Sequence, residues 1–279
     1  MDILSYEFMR NALIVGLLAS ISCGVIGTYV VIKRIVFISG GISHTAYGGI
    51  GLGYLLGLNP MIGALGFTIL SAIGMGIVSH KSAQRSDTLI GVMWAVGMAL
   101  GIIFVSLSPG YTTDLMSYLF GNILVVPTTD IWLLIILNII ILITVFALYE
   151  EFKAVAFDEE FAEASGLNIK LLNLVLLVLI ALTVVVLIRA VGIILVIALL
   201  TIPAATAGRF TSSLKYMMLI AIILGMVFSS GGLFLSYVFD LPSGATIILL
   251  AGVVFFCVSF SIHLQEKRAV RQEIKLPLN

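Results

Sequence analysis

Few residues in this sequence could do chemistry, because only 10% of its 279 residues are charged and 61% are hydrophobic. The first group lies in Ile38-Ser-Gly-Gly-Ile-Ser-His-Thr-Ala-Tyr-Gly-Gly-Ile-Gly-Leu-Gly53, which sets Ser39, Ser43, His44 and Thr45 inside an apolar stretch. Polar side chains at membrane depth need partners and usually face a bundle interior or an aqueous path. A neutral imidazole is a good ligand for zinc and other divalent transition metals. His44 therefore reads either as a metal ligand on a path or as a structural histidine bonded to a neighbouring helix. The other two histidines, His80 and His263, fall at the inner ends of apolar runs and read as interfacial.

The second group is Phe157-Asp-Glu-Glu-Phe-Ala-Glu-Ala-Ser-Gly166, followed by Leu167-Asn-Ile-Lys170. It reads as a short acidic amphipathic helix ended by Gly166, a natural C-terminal cap. Phe157, Phe161 and Ala164 or Ser165 would share one face at helical spacing. Such a segment is either a solvated loop helix or a docking element whose hydrophobic face fits a partner's groove. The third group, Ala198-Leu-Leu-Thr-Ile-Pro-Ala-Ala-Thr-Ala207, carries Pro203, which removes a backbone hydrogen bond and predicts a kink, structural or gating. No G-x-x-x-x-G-K-[ST], H-E-x-x-H or G-x-S-x-G run occurs, so neither P-loop ATP binding nor a hydrolytic site is encoded here.

The elements that must position these residues are membrane helices. Soluble domains carry roughly 45–50% apolar and about 25% charged residues; a mean hydropathy of +1.24 requires lipid as solvent. Equal numbers of acidic and basic residues, 14 each, argue against a nucleic-acid partner. Cys23 and Cys257 sit in apolar runs and read as small buried residues, not as a disulfide or a metal pair. The first apolar run is too long for a signal-peptide core and is followed by Lys33 and Arg34, so it reads as a span that stays.

Runs of about 20 apolar residues fall near 10–32, 41–58, 61–79, 89–108, 131–149, 171–188, 191–208, 216–238 and 244–263. These predict an all-α bundle of nine membrane helices, or eight if one run is re-entrant. The stretch 171–208 is divided at Arg189, since an arginine in hydrocarbon costs several kcal/mol. With nine spans and the N-terminus outside, only Arg10 and Arg189 of the 14 basic residues fall on the outer side, and the C-terminus is cytoplasmic. The chain reads as one transmembrane domain, 1–279, with an inner polar segment at 150–170 and a short polar tail at 264–279. The outer stretch 108–130 is amphiphilic, with a short interfacial helix expected between Asp114 and Gly121. Gly49, Gly53 and Gly57, four apart, predict close helix packing.

Taken together, these residues resemble the membrane permease subunit of the zinc, manganese and iron ABC importers. The resemblance runs over nearly the whole chain. It includes Tyr29-Val-Val-Ile-Lys-Arg34, Ser43-His44, Ser86-Asp-Thr-Leu-Ile-Gly-Val92 and Asp114-Leu-Met-Ser-Tyr-Leu-Phe-Gly121, then Asp158 to Gly166, Thr201-Ile-Pro-Ala-Ala-Thr-Ala207 and Asp240-Leu-Pro-Ser-Gly244. The resemblance implies a multi-pass permease in the cell membrane that pairs with a second copy of itself. It implies a separate cytoplasmic ATP-binding subunit and an extracytoplasmic metal-binding protein. The permease itself would be no enzyme and would hold no covalent cofactor. Asp158, Glu159, Glu160, Phe161, Ala162 and Gly166 would form the coupling helix that docks into the ATPase. His44 would meet the transported divalent ion. Many members carry an aspartate four residues before that histidine, one helical turn away on the same face; here the position is Gly40. A site poorer in oxygen ligands favours zinc over manganese. Asp114, Asp130 and Asp240 are candidates for an outer funnel. The other readings left open are a permease for a metal chelate such as a siderophore or cobalamin, and a stand-alone secondary transporter or channel.

Overall fold

The computed structural model describes residues 6–79, 83–109 and 116–273. Among them it has no strand and twelve α-helices: α1 (Glu7–Ile32), α2 (Val36–Leu55), α3 (Pro60–Ser79), α4 (Ala83–Leu107), α5 (Met116–Phe120), α6 (Thr128–Ala147), α7 (Tyr149–Phe157), α8 (Glu159–Ala164), α9 (Ile169–Val191), α10 (Ile193–Ala207), α11 (Leu214–Phe239) and α12 (Ser243–Glu273). Of the described helices, seven are long and apolar enough to cross a membrane: α1, α3, α4, α6, α9, α11 and α12. The chain is a multi-pass membrane protein. The two remaining long elements fall short for different reasons. α10 has only 15 residues. α2 has 20, but glycine, serine, threonine and histidine lower its hydropathy.

Burial explains how α2 tolerates that composition. It lies between α3 and α4, with most of its residues inside the protein. A helix shielded from lipid by neighbours has no need of an apolar surface, and small residues let those neighbours approach. Gly49 of α2 meets Gly63 of α3 backbone to backbone, and Gly48 and Gly51 meet Gly97 and Gly101 of α4. The expected glycine packing is thus real for Gly49 and Gly53, whereas Gly57 lies beyond the helix at φ +64 with no atom near its missing Cβ. A methyl carbon at Gly101 would sit 2.6 Å from the Tyr47 carbonyl oxygen, while one at Gly66 of α3 would touch nothing within 4 Å. Gly101→Val should accordingly cost about 1–3 kcal/mol by forcing α2 and α4 apart. Gly66→Ala should be neutral or stabilise by up to about 1 kcal/mol, helix-interior glycine being the poorer choice. Thermal unfolding of the two variants in detergent checks the contrast.

The centre of the bundle is α1, α9 and α10, with α6 against α1 and α9, and α11 and α12 on the side away from α2. Leu249, Val253, Phe256 and Phe260 make an exposed apolar stripe along α12, spaced three and four apart, as a lipid-facing helix requires.

Three sequence boundaries move. The division expected at Arg189 occurs at Gly192, whose φ 80 and ψ 160 suit only glycine. Arg189 instead lies in the last turn of α9. Gly121, at φ +63 after α5, packs its backbone directly on Val191 and Gly192, so the outer segment is fastened at this break. The tail expected to start after residue 263 continues as helix to Glu273. Pro203 sits inside α10, and the helix runs through it to Ala207. The outer helix expected from Asp114 is described as α5, Met116–Phe120; Asp114, His80 and Lys81 lie outside the described residues.

Candidate functional site

His44 sits two turns into α2 and is 7% exposed. Its imidazole stacks on the Trp94 ring of α4, with centroids 4.0 Å apart and planes at 16°. Its Nδ1 is buried and has no hydrogen-bond partner. The polar neighbours do not serve it: the Ser43 hydroxyl donates to the Ser39 carbonyl at 2.8 Å, and Thr45 donates to the Ile42 carbonyl at 2.8 Å. Both bonds stay within α2, because a serine or threonine hydroxyl reaches a carbonyl three or four residues back. His44 is thus the one residue of the group with a buried side-chain polar atom that has no partner. A buried nitrogen without a partner costs about 1–3 kcal/mol, and a ligand that fills it removes that cost.

Gly40 shares the His44 face, one turn earlier. A Cβ there would stand 3.4 Å from Cζ3 of the same Trp94 ring. The indole thus lies against both positions, 40 and 44. Among the described residues no three His, Cys, Asp or Glu side chains gather closely enough to hold an ion. The unpartnered donor that the site offers is His44 Nδ1.

At the opposite end of α2, the Tyr54 and Tyr118 hydroxyls are 3.2 Å apart. Burial first, then the neighbouring Tyr54, pushes the Tyr118 phenol above its ordinary value, so it stays protonated and able to donate. Arg189 Nε lies 3.1 Å from Asp130 Oδ2, an ion contact whose angle falls outside hydrogen-bond geometry. Asp130 is therefore tied up at the start of α6. Asp240 caps α11 in a left-handed conformation, φ 52.

The expected short helix is α8, Glu159–Ala164, and a second short helix, α7, ends just before it at Phe157. Asp158 breaks the helix at φ −151 and ψ 99, and its Oδ1 accepts from the Phe161 amide at 2.9 Å, capping α8. Gly166 ends α8 at φ +85, with its amide on the Glu163 carbonyl and the Leu167 amide on that of Ala162. The single continuous face expected for Phe157 and Phe161 is therefore interrupted, since Phe157 ends α7. The two rings are nonetheless both exposed, 57% and 65%, while Ala162 is fully buried. Glu160 is exposed. Glu159 turns towards the bundle, where its Oε1 accepts from Lys33 Nζ at 2.6 Å and from Asn173 Nδ2 at 3.3 Å.

Sequence reasoning missed Trp94, the Lys33–Glu159 pair and Asn138. Asn138 of α6 accepts from the Ser22 hydroxyl at 3.0 Å and donates to the Leu18 carbonyl at 3.1 Å, clamping α6 to α1. The signal for it was present: an amide in mid-span must find a partner in lipid.

Known proteins resemble this chain in sequence and in fold. The chain is 53% identical over 252 residues to a membrane protein of Synechocystis, covering 90% of each. It is 41% identical to the manganese transport system membrane protein MntC of Listeria monocytogenes, covering 91% of this chain and 90% of that one. A chain of PsaBC from Streptococcus pneumoniae, solved in complex with Fab, superposes with a TM-score of 0.81 at 34% identity, covering 91% of both. Residues 5–262 match the ABC 3 transport family. A bundle of apolar helices that buries one under-bonded histidine, matched over nearly its whole length in sequence and in fold, is a membrane permease of the ABC 3 transport family.

Proposed function

We propose that this chain is the permease of an ATP-driven importer of divalent transition metal ions, with manganese as the principal cargo and His44 on its path. The observation that carries the reading is the buried, unpartnered Nδ1 of His44 in a helix otherwise shielded from lipid. The names of the relatives supply the metal: MntC of Listeria and ScaB of Streptococcus gordonii are both named for manganese. The zinc expected from Gly40 becomes the second reading. Its support is that no carboxylate stands one turn from His44, where the Trp94 indole lies instead.

ATP hydrolysis falls to a separate subunit, so the permease is not an enzyme. In this reading the ATPase docks on α7 and α8 through exposed Phe157, Phe161 and Glu160, with Asp158 and Gly166 fixing the ends of α8 and Ala162 seating it. A metal-binding protein delivers the ion from outside. Two copies of the permease pair, bringing two His44 imidazoles into the assembly. α2 and α10 cross with the seven apolar helices, giving nine spans with the N-terminus outside and the C-terminus in the cytoplasm. That topology places Lys33, Lys153 and Lys170 on the inner side, as the charge bias requires. Transport is alternating access: ATP binding favours one arrangement of the helices, and only a ligand or partner with unequal affinity for the two arrangements can shift them.

The test is uptake into proteoliposomes holding the permease, its ATPase and its binding protein, with manganese and zinc offered together. ATP-dependent accumulation of manganese in excess of zinc supports the first reading, and the reverse ratio moves the assignment to zinc. Gly40→Asp should raise the manganese-to-zinc ratio by adding an oxygen ligand on the His44 face. Metal flux without ATP would replace both readings with a channel.

A further inference from the structure

We propose that the Lys33–Glu159 ion pair is the mechanical link through which movement of α8 reaches the inner end of α2. The inference rests on the reading of α7 and α8 as the ATPase-docking segment and goes beyond it, since it names how the docking segment reaches His44. Lys33 follows the last residue of α1, and its ammonium is almost wholly enclosed, with the side chain 9% exposed. It donates to the Val155 carbonyl of α7 at 3.1 Å and to Glu159 Oε1 of α8 at 2.6 Å. Asn173 of α9 shares that same carboxylate oxygen. Lys33 therefore ties the end of α1 to α7 and α8, and Asn173 ties α9 to the same carboxylate. This ion pair joins α8 to the inner end of α1.

The turn after Lys33 makes the link directional. Arg34 adopts φ 57, a left-handed residue in a tight reversal, and α2 begins at Val36. The reversal is fixed by its own backbone, with the Arg34 amide on the Val31 carbonyl and the Ile35 amide on the Val30 carbonyl. The Ser39 amide already bonds the Ile35 carbonyl. A stiff turn so short carries any displacement of Lys33 into the first turn of α2, and His44 lies little more than two turns further along the same helix. A cavity of about 660 Å³ opens beside the pair, walled by Ile35, Ile38, Gly76 and Leu177 and bordered by Lys170. Close-packed interiors resist displacement; free volume at this point lets the inner end of α2 shift without repacking α3 and α9.

An enclosed lysine that loses its carboxylate is left with an uncompensated charge, so the pair favours arrangements in which α8 and the α1–α2 turn move together. The exposure of Glu159, 49% at its side chain, keeps its end of the pair within reach of forces acting on α8.

The experiment uses the intact permease reconstituted with its ATPase and binding protein, and reads metal ions imported per ATP hydrolysed alongside capture of the ATPase. Lys33→Met should leave ATPase capture unchanged and lower the ion-to-ATP ratio at least about fivefold, the lower edge of typical coupling effects. Lys33→Glu should do the same, and adding Glu159→Lys to it should restore much of the lost ratio, although the Val155 carbonyl then faces a carboxylate. Should Lys33→Met fail to fold because Glu159 loses its cation, the neutral pair Lys33→Met with Glu159→Gln buries no charge and must show the same loss of ratio. A wild-type ratio in Lys33→Met or in the neutral pair overturns the link, as does a charge swap that folds and captures ATPase yet recovers nothing. No ATPase capture by the intact chain would instead overturn the reading of α7 and α8 as the docking segment.

Discussion

Replacing His44 with alanine should lower ATP-driven metal uptake by at least about 10–100-fold, the range lost at metal sites even when only a group supporting a ligand is changed. Stability should change little. The variant loses a stacked pair with Trp94, worth about 0.5–1.5 kcal/mol. It also loses a buried nitrogen without a partner, whose desolvation costs about 1–3 kcal/mol. The two effects oppose each other. A purely structural histidine would behave the other way: unfolding temperature would fall, and uptake per folded molecule would be kept. Measuring uptake and thermal unfolding on the same reconstituted preparation separates the outcomes. Retained uptake with lowered stability would remove His44 from the path.

The largest stability effect should come from Arg189→Ala. Asp130, 3% exposed at its side chain, lies in the first turn of α6, and Arg189, 45% exposed, in the last turn of α9. The carboxylate benefits from the helix N-terminus it occupies and from the guanidinium, and loses the second of these in the variant. Removing one member of a buried pair costs about 3–5 kcal/mol; the half-exposed arginine places the expected loss near the lower end. Asp130→Asn should cost less, since the charge that needs compensation leaves with it. The double variant should be less destabilised than the sum of the single variants, as expected for residues in contact. Thermal unfolding in lipid nanodiscs would test this, and equal, additive losses would mean that the pair is no more than a surface contact.

Much of the fold is legible in the sequence because lipid imposes a simple demand. Runs such as 216–238 and 244–263 can only be helices if every backbone group is to be satisfied within the segment, and both are helices. The ends of α8 are equally local matters. Gly166 takes the positive φ that a helix stop requires, and its place after an acidic run already marks it as that stop. Asp158 is harder to read, because a capping residue and a member of the helix look alike in sequence. That ambiguity puts Phe157 on the same helix as Phe161 when the sequence is read alone.

The site is legible only in part. His44 stands out by type, but nothing in its neighbourhood announces Trp94, fifty positions along the chain in a run that reads as ordinary span. Arg189 is costly in hydrocarbon, and for that reason the sequence alone sets the turn there. In the structure Asp130 neutralises it, and a glycine three residues later takes the break.

The sequence by itself therefore determined the solvent, the helical content, the helix stop at Gly166 and the residues with unusual chemistry. Each of these depends on groups within a few residues of one another, or on composition alone. Only the tertiary structure decided which of those residues meet. It wrapped the glycine-rich α2 in α3 and α4, stacked Trp94 on His44, joined Lys33 to Glu159, and seated Gly121 on Gly192. Those pairings depend on how helices pack against one another. In a chain this apolar, many side chains could satisfy the same contact, so the few polar pairs and close-packed glycines are read from the assembled bundle.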